Sequence, residues 1–227
     1  MEQKTEERRS RLTTPRAAAI AGIIFSVLIL ISIVLIRLSV PEDPLDSGSW
    51  LLDNSATVTF ALNLVPFAGI AFLWFIGVVR DRIGEYEDRF FATVFLGSGL
   101  LFLALMFVSA ANAGGLISIY EASSGVSIDP SVYNFGRATT YQIMNVYTVK
   151  MAGVFMLSTC TLALRTGIFK RWMAFLGIGL ALFLLLSVGF LYWVILVFPL
   201  WVLLISIHIL LANYGRSDSE LPKVSLE

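Results

Sequence analysis

Long apolar runs closed off by charged residues organise this chain. A bilayer core of ~30 Å needs ~20 apolar residues at 1.5 Å each, and runs of that length recur. Ala17 to Ile36 is the first, preceded by Arg8, Arg9, Arg11 and Arg16 and closed by Arg37. The residues after it, Leu38, Ser39, Val40 and Pro41, form no small-x-small cleavage site, so it is expected to stay as an anchor. Ala56 to Val79 is the second run and Phe90 to Ala113 the third. The fourth ends at Leu164 and starts near 141, where Tyr141 to Lys150 is polar for a membrane segment. Trp172 to Leu211 then runs 40 residues with His208 as its one ionisable group. That length holds two short spans, 172–188 and 190–212, turning near Ser187 and Gly189, or alternatively a re-entrant hairpin. Either way the chain returns to the same side. The pattern predicts an all-α polytopic membrane bundle of six transmembrane helices, with tails at 1–16 and 213–227.

Composition agrees with that medium. The chain is 57% hydrophobic, with a mean hydropathy of +0.83, more apolar than a water-soluble domain. Sixteen basic and sixteen acidic residues cancel, so no global field recruits nucleic acid and only the placement of charge is informative. Thirteen of the sixteen basic residues lie on one side if the first span runs outward: Lys4, Arg8, Arg9, Arg11, Arg16, Arg80, Arg82, Arg89, Arg165, Lys170, Arg171, Arg216 and Lys223. Arg37 and Arg137 fall on the other side, and Lys150 falls inside the fourth span. By the positive-inside rule both termini are expected in the cytoplasm. Trp50, Tyr141, Tyr192 and Trp193 then mark the outer interface, and Trp74, Trp172 and Tyr214 the inner one.

Phe95-Leu96-Gly97-Ser98-Gly99-Leu100 recurs 80 positions later as Phe175-Leu176-Gly177-Ile178-Gly179-Leu180. The recurrence reads either as duplication of a two-helix hairpin or as the ordinary Gly, Leu and Phe content of membrane helices. These glycines, with the small-xxx-small pairs Ala18/Gly22 and Ala110/Gly114, predict close helix packing and self-association. Pro66 and Pro199 fall near mid-span, where each removes a backbone hydrogen bond, so kinks are expected at both.

Candidate chemistry is sparse. Lys150 lies inside a span, about 13 Å deep if the helix enters at Tyr141 and about 8 Å if it enters at Asn145. It reads either as a snorkelling or structurally bonded cation or as part of an aqueous or ligand site. At ~100° per residue, Tyr141, Asn145, Thr148, Ala152 and Thr159 share one stripe, with Lys150 roughly opposite beside Tyr147 and Val154. Lysine and stripe are therefore not expected to face one cavity. Asn63 and Asn145 sit at matching outer-half depth, where an amide seeks a partner across a helix interface. The candidate ligand or translocation path is thus Asn63, Tyr141, Asn145, Thr148 and Lys150. His208 and Cys160 are each the only residue of their kind, which excludes a bis-His haem, a multi-cysteine site and an intrachain disulfide. Residues 80–89 alternate in sign and read as a solvated turn, with Glu85 and Asp88 as a carboxylate pair to weigh for a metal. The 27-residue stretch Gly114 to Thr140 reads as a long outer loop capping any outward pocket. HExxH, Walker A, GxSxG and CxxC patterns are absent, so no catalytic residue, metal or cofactor is expected.

Leu164-Arg165-Thr166-Gly167-Ile168-Phe169-Lys170-Arg171-Trp172, running on to Gly177, resembles a bacterial family of integral membrane proteins known as a domain of unknown function. Members carry Arg-Ser/Thr-Gly, then Pro-Arg-Trp and a Gly-rich helix; Lys170 stands here where proline is usual. The whole chain also resembles actinobacterial six-helix membrane proteins. The resemblance implies a bacterial cytoplasmic membrane and no particular activity. Residues and resemblance together lead to an expected non-enzymatic binding or complex-forming membrane protein. Lipids, a second copy or a small apolar ligand are its expected partners. The alternative is a small transporter or channel with its site in the outer half.

Overall fold

An apolar medium leaves a backbone no partner but itself, which favours helices throughout. The computed structural model describes residues 2–43, 46, 48–83, 89–123, 128–167, 170–187 and 193–218, and the side chains among these except at 2–16, 81–83, 89–91 and 212–218. Glu85, Asp88, Gly189, Tyr192 and the end of the C-terminal tail lie outside the described residues, as does the side chain of Tyr214. Among the described residues seven α-helices follow one another: α1 (Glu2–Ser39), α2 (Trp50–Ile83), α3 (Arg89–Ala122), α4 (Pro130–Gln142), α5 (Val149–Thr166), α6 (Arg171–Leu186) and α7 (Val197–Asp218). A π turn, Ile143–Thr148, joins α4 to α5, and a 3-10 turn, Val194–Leu196, leads into α7. No strand occurs among the described residues.

Among the described residues five helical stretches are long and apolar enough to cross a membrane: Ala17–Ser39, Trp50–Arg80, Ala92–Ala122, Pro130–Thr166 and Val194–Leu211. The sixth, α6, has 16 residues, about 24 Å of helix, and stops short of a full ~30 Å crossing. The chain is thus a polytopic all-α membrane bundle. The backbone at Arg16, Arg80, Arg165 and Arg171 shares one end, the basic end. Residues 37–43, 48–54 and 129–145, with Ser187 and Trp193, share the other, the far end. Cross-helix bonds such as Asn54 Nδ2 to Ser39 O (3.3 Å) and Arg137 Nη2 to Pro41 O (2.7 Å) hold the far end together.

Two helix boundaries differ from the expectation. Helix α3 continues to Ala122 and α4 begins at Pro130, so the connection read as a 27-residue loop shrinks to residues 123–129. The local chemistry accounts for the start. The Asp129 carboxylate accepts from Ser131 N–H at 2.8 Å and Pro130 occupies the first helical position, the usual opening of a helix in water. That backbone bond also holds the exposed Asp129 carboxyl below its ordinary pKa. Hydropathy reports the medium and says nothing of helix that continues outside it. Pro199 is the third residue of α7, directly after the 3-10 turn, and not mid-helix. Its missing N–H falls in the first turn, where it costs least. Pro66 lies inside α2, which runs unbroken around it.

The middle of the bundle is aromatic. Phe25 of α1, Phe72 of α2, Phe102 of α3, Phe155 of α5 and Phe198 of α7 are all buried and pack ring on ring, with centroids 4.7 to 6.2 Å apart. Helix α6 sends no ring into this cluster. It lies against α5, where Gly153 admits the backbone carbonyl of Ala181 and the side chain of Leu185. On the same face Gly177 of α6 rests on Cys160 Sγ and Trp201 Nε1. A separate small core caps the far end, formed by Trp50, Leu51, Val58, Ile117 and Tyr133. Trp50 Nε1 donates to the Tyr133 hydroxyl there at 2.8 Å.

Candidate functional site

Polar side chains concentrate at the far end, along the continuous helix Pro130–Thr166. The π turn at Ile143–Thr148 holds one residue more per turn than an α-helix, a feature that often marks functional positions. Thr148 Oγ1 donates to the carbonyl of Ile143, five residues back, at 2.8 Å. Asn145, 6% exposed, donates to Tyr141 O at 3.1 Å and accepts from Arg37 Nη2 of α1 at 2.9 Å. A charged donor on a buried amide is among the stronger hydrogen bonds. Two turns toward the chain start on the same helix, Arg137 donates through Nη2 to Pro41 O, and its Nη1 is buried without a partner. Asn112 of α3 donates to Gly136 O and Thr140 Oγ1, both at 2.7 Å, and Ser109 donates to Thr140 O at 3.2 Å. Gly136 permits this approach, since a Cβ there would stand 2.6 Å from Leu116 Cδ2.

Lys150 turns to a different neighbour. Its Nζ donates to Leu184 O at 3.2 Å, to Leu185 O at 2.6 Å and to Ser187 O. These are carbonyls at the C-terminal end of α6, which an α-helix leaves without internal partners. An ammonium carries three donors and a positive charge, and a helix C-terminus presents carbonyls and partial negative charge. The match explains why a lysine stands within a span: α6 ends ~24 Å from the basic end, and Lys150 lies 15 residues, ~22 Å, before Arg165. The Ser187 hydroxyl adds a further bond to Leu184 O at 2.9 Å.

The five residues selected from the sequence do not converge. Asn145 and Thr148 are buried together in the π turn, Lys150 faces α6, and Tyr141 and Asn63 are exposed. Asn145 bonds to α1 while Lys150 bonds to α6, so the two point to different neighbours, in agreement with the helical wheel. Two partners went unselected, Arg37 and Asn112. For Arg37 a signal existed: Arg37 and Arg137 are the only two basic residues in loops on the sparse side of the charge count. Each engages the seam between α1 and the fourth long helix.

Other expected features find ordinary uses. Gly22 is filled by Ser206 and Phe75 and Ala18 is buried, so this small-residue pair serves packing within the chain. Trp74, Trp172, Trp193 and Tyr141 are exposed like interfacial rings, whereas Trp50 turns inward. The two copies of the glycine motif are packed differently. Phe95 is 1% exposed and Phe175 62%; Gly99 meets Ile76 and Phe155 while its counterpart Gly179 meets nothing, and the reverse holds for Gly97 and Gly177. Among the described residues no group of three or more His, Cys, Asp or Glu side chains is arranged to hold a metal.

Bundle and polar seam together define the class, a multi-pass α-helical membrane protein. No family model, curated protein or solved structure matches this chain.

Proposed function

We propose that the chain is a non-enzymatic binding or complex-forming protein of a bacterial cytoplasmic membrane, with both termini in the cytoplasm. The resemblance of residues 164–177 to a bacterial membrane family and the basic residues gathered at one end support the membrane and the orientation. The observation that carries the functional reading is the ring cluster at mid-bundle. Five helices each supply a buried phenylalanine there, and the rings pack against one another across the middle of the described bundle. The cations at the far end, for their part, are engaged with Asn145, Pro41 and the end of α6. The partner is then a membrane component or apolar molecule meeting the outside of the bundle: lipid, a second copy or another integral protein.

A small transporter is the second reading. The π turn favours it, since such a turn can absorb a change of helix register; it also requires the ring cluster to part. Vesicles containing the purified chain separate the two. The expected result is that an imposed K⁺ gradient and an entrapped dye decay no faster than in protein-free vesicles. Faster decay that a bulkier side chain at the cluster suppresses would overturn the binding reading.

A further inference from the structure

The second copy of the glycine motif has one glycine turned inward and one turned outward. Helix α6 packs on α5 and, more lightly, α7, with Gly177 and Ala181 on its buried side. At ~100° per residue, the opposite side is a sector of ~140° that contains Arg171, Trp172 and Gly179, all exposed. A Cβ on Gly179 would meet nothing within 4 Å. Its neighbours three and four positions away on the helix, Phe175, Leu176, Leu182 and Phe183, fall in the same sector and are between 43% and 62% exposed. Side chains at that spacing adjoin one another, so four large apolar groups ring a residue that has no side chain. The result is an apolar socket open to the outside of the bundle.

Charge lies at one end of this face. Arg171 opens α6 at the edge of the sector, ~12 Å from Gly179 toward the basic end, and the exposed Lys170 immediately precedes it. Among the described residues neither Lys170 nor Arg171 makes a side-chain bond. The sequence holds no acid between Asp129 and Asp218, so α5, α6 and the turn joining them supply no counter-charge. Beyond Trp172 the face is wholly apolar. From Arg171 to Leu182 it extends ~16 Å, which matches the ~15 Å hydrocarbon depth of one leaflet. An apolar socket one leaflet deep, with unopposed cations at a single end, fits an amphiphile with an anionic head.

We propose that this face of α6 seats an anionic phospholipid of the leaflet at the basic end, its phosphate beside Lys170 and Arg171 and one acyl chain laid in the socket at Gly179. The site gives the binding reading above its ligand class and rests on that reading. A second copy fits less well, because in the same membrane orientation it brings its own Lys170 and Arg171 to the same level. Trp172 stands at the head-group end, where an indole ring is favoured, and basic residues next to a membrane helix attract anionic head groups.

The test is lipid retention by the purified full chain, read by native mass spectrometry after exchange into dioleoyl-phosphatidylglycerol or dioleoyl-phosphatidylcholine. One phosphatidylglycerol per chain is expected, held about fivefold more tightly than phosphatidylcholine for each of the two cations. Gly179→Leu fills the socket from a position where the new side chain meets nothing, so the chain should fold as before. Retention of both lipids should then fall about tenfold, the equivalent of roughly two buried CH₂ groups. Should Gly179→Leu fold poorly, Phe175→Ala lowers the socket wall from an exposed position and should weaken retention in the same way. The double variant Lys170→Gln/Arg171→Gln should still bind, with no preference between the two lipids. Equal retention of the two lipids by wild type overturns the proposal, as does full retention by Gly179→Leu or an undiminished preference in the double variant. A wild-type dimer that Gly179→Leu splits into monomers overturns it too, giving the socket to a second copy. The vesicle flux assay reports on the non-conducting reading whatever lipid is retained, so the two can fail separately.

Discussion

The middle of the bundle and its far end are built on opposite principles. At mid-bundle, phenylalanines from five helices meet ring to ring with scarcely a polar atom among them. At the far end, Arg37, Asn112, Arg137, Asn145 and Lys150 reach across helix boundaries, and most of their bonds end on backbone carbonyls. Lipid tails are as apolar as leucine, so helices in a bilayer gain little from hydrophobic burial and associate through close packing and hydrogen bonds. The middle uses the first of these and the far end the second. Where a helix ends inside the apolar layer, packing cannot satisfy its carbonyls, and a donor has to be supplied. Lys150 supplies it for α6.

Substitutions in the two regions should therefore fail differently. Phe72 touches the rings of Phe25, Phe75, Phe102, Phe155 and Phe198, so Phe72→Ala leaves a cavity that five helices share. A loss of about 3 kcal/mol or more is expected, the usual cost of deleting a buried ring, seen as a lower unfolding midpoint in detergent. Lys150→Met keeps the apolar stem and removes the three donors. About 2–3 kcal/mol should be lost as α6 carbonyls go unpaired, with Lys150→Arg restoring most of it. Asn145→Ala removes the acceptor for Arg37 and should cost about 1–2 kcal/mol, with the effect confined to the far end in hydrogen exchange. The smallest effect carries the opposite sign. Ser206 is fully buried against Gly22 and its hydroxyl has no partner, so Ser206→Ala should be neutral or stabilising by up to about 1 kcal/mol.

What the amino-acid pattern disclosed follows the same division. Spans were legible because hydrocarbon imposes apolar runs of fixed length, and α1 (Glu2–Ser39), α2 (Trp50–Ile83) and α3 (Arg89–Ala122) contain the first three predicted runs. Helix ends outside the apolar layer were not, since residues 114–122 and 130–140 are polar enough to read as loop while Asp129 and Pro130 start a helix among them. The separation of Lys150 from Asn145 was legible from a 100° wheel. What Lys150 holds was not, because its partners are backbone atoms of α6, which every sequence supplies. The π turn was hidden for a related reason: Ile143–Thr148 contains no proline or glycine to announce it. The glycine motif shows the limit most plainly. Six nearly identical residues at 95–100 and 175–180 place one phenylalanine in the core and the other outside, so the letters alone did not carry the packing.

Cys160, the sole cysteine, offers the most direct test that the far-end cations hold helices in place. Its Sγ is buried beneath Gly177 of α6, and the fastening of α6 at its far end is Lys150. With the wild-type chain and with Lys150→Arg, N-ethylmaleimide should label Cys160 very slowly; with Lys150→Met, labelling should accelerate well before global unfolding as α6 lifts away. Equal, slow labelling of wild type and Lys150→Met in folded protein would mean that α6 stays seated without the lysine, contradicting a structural role for Lys150.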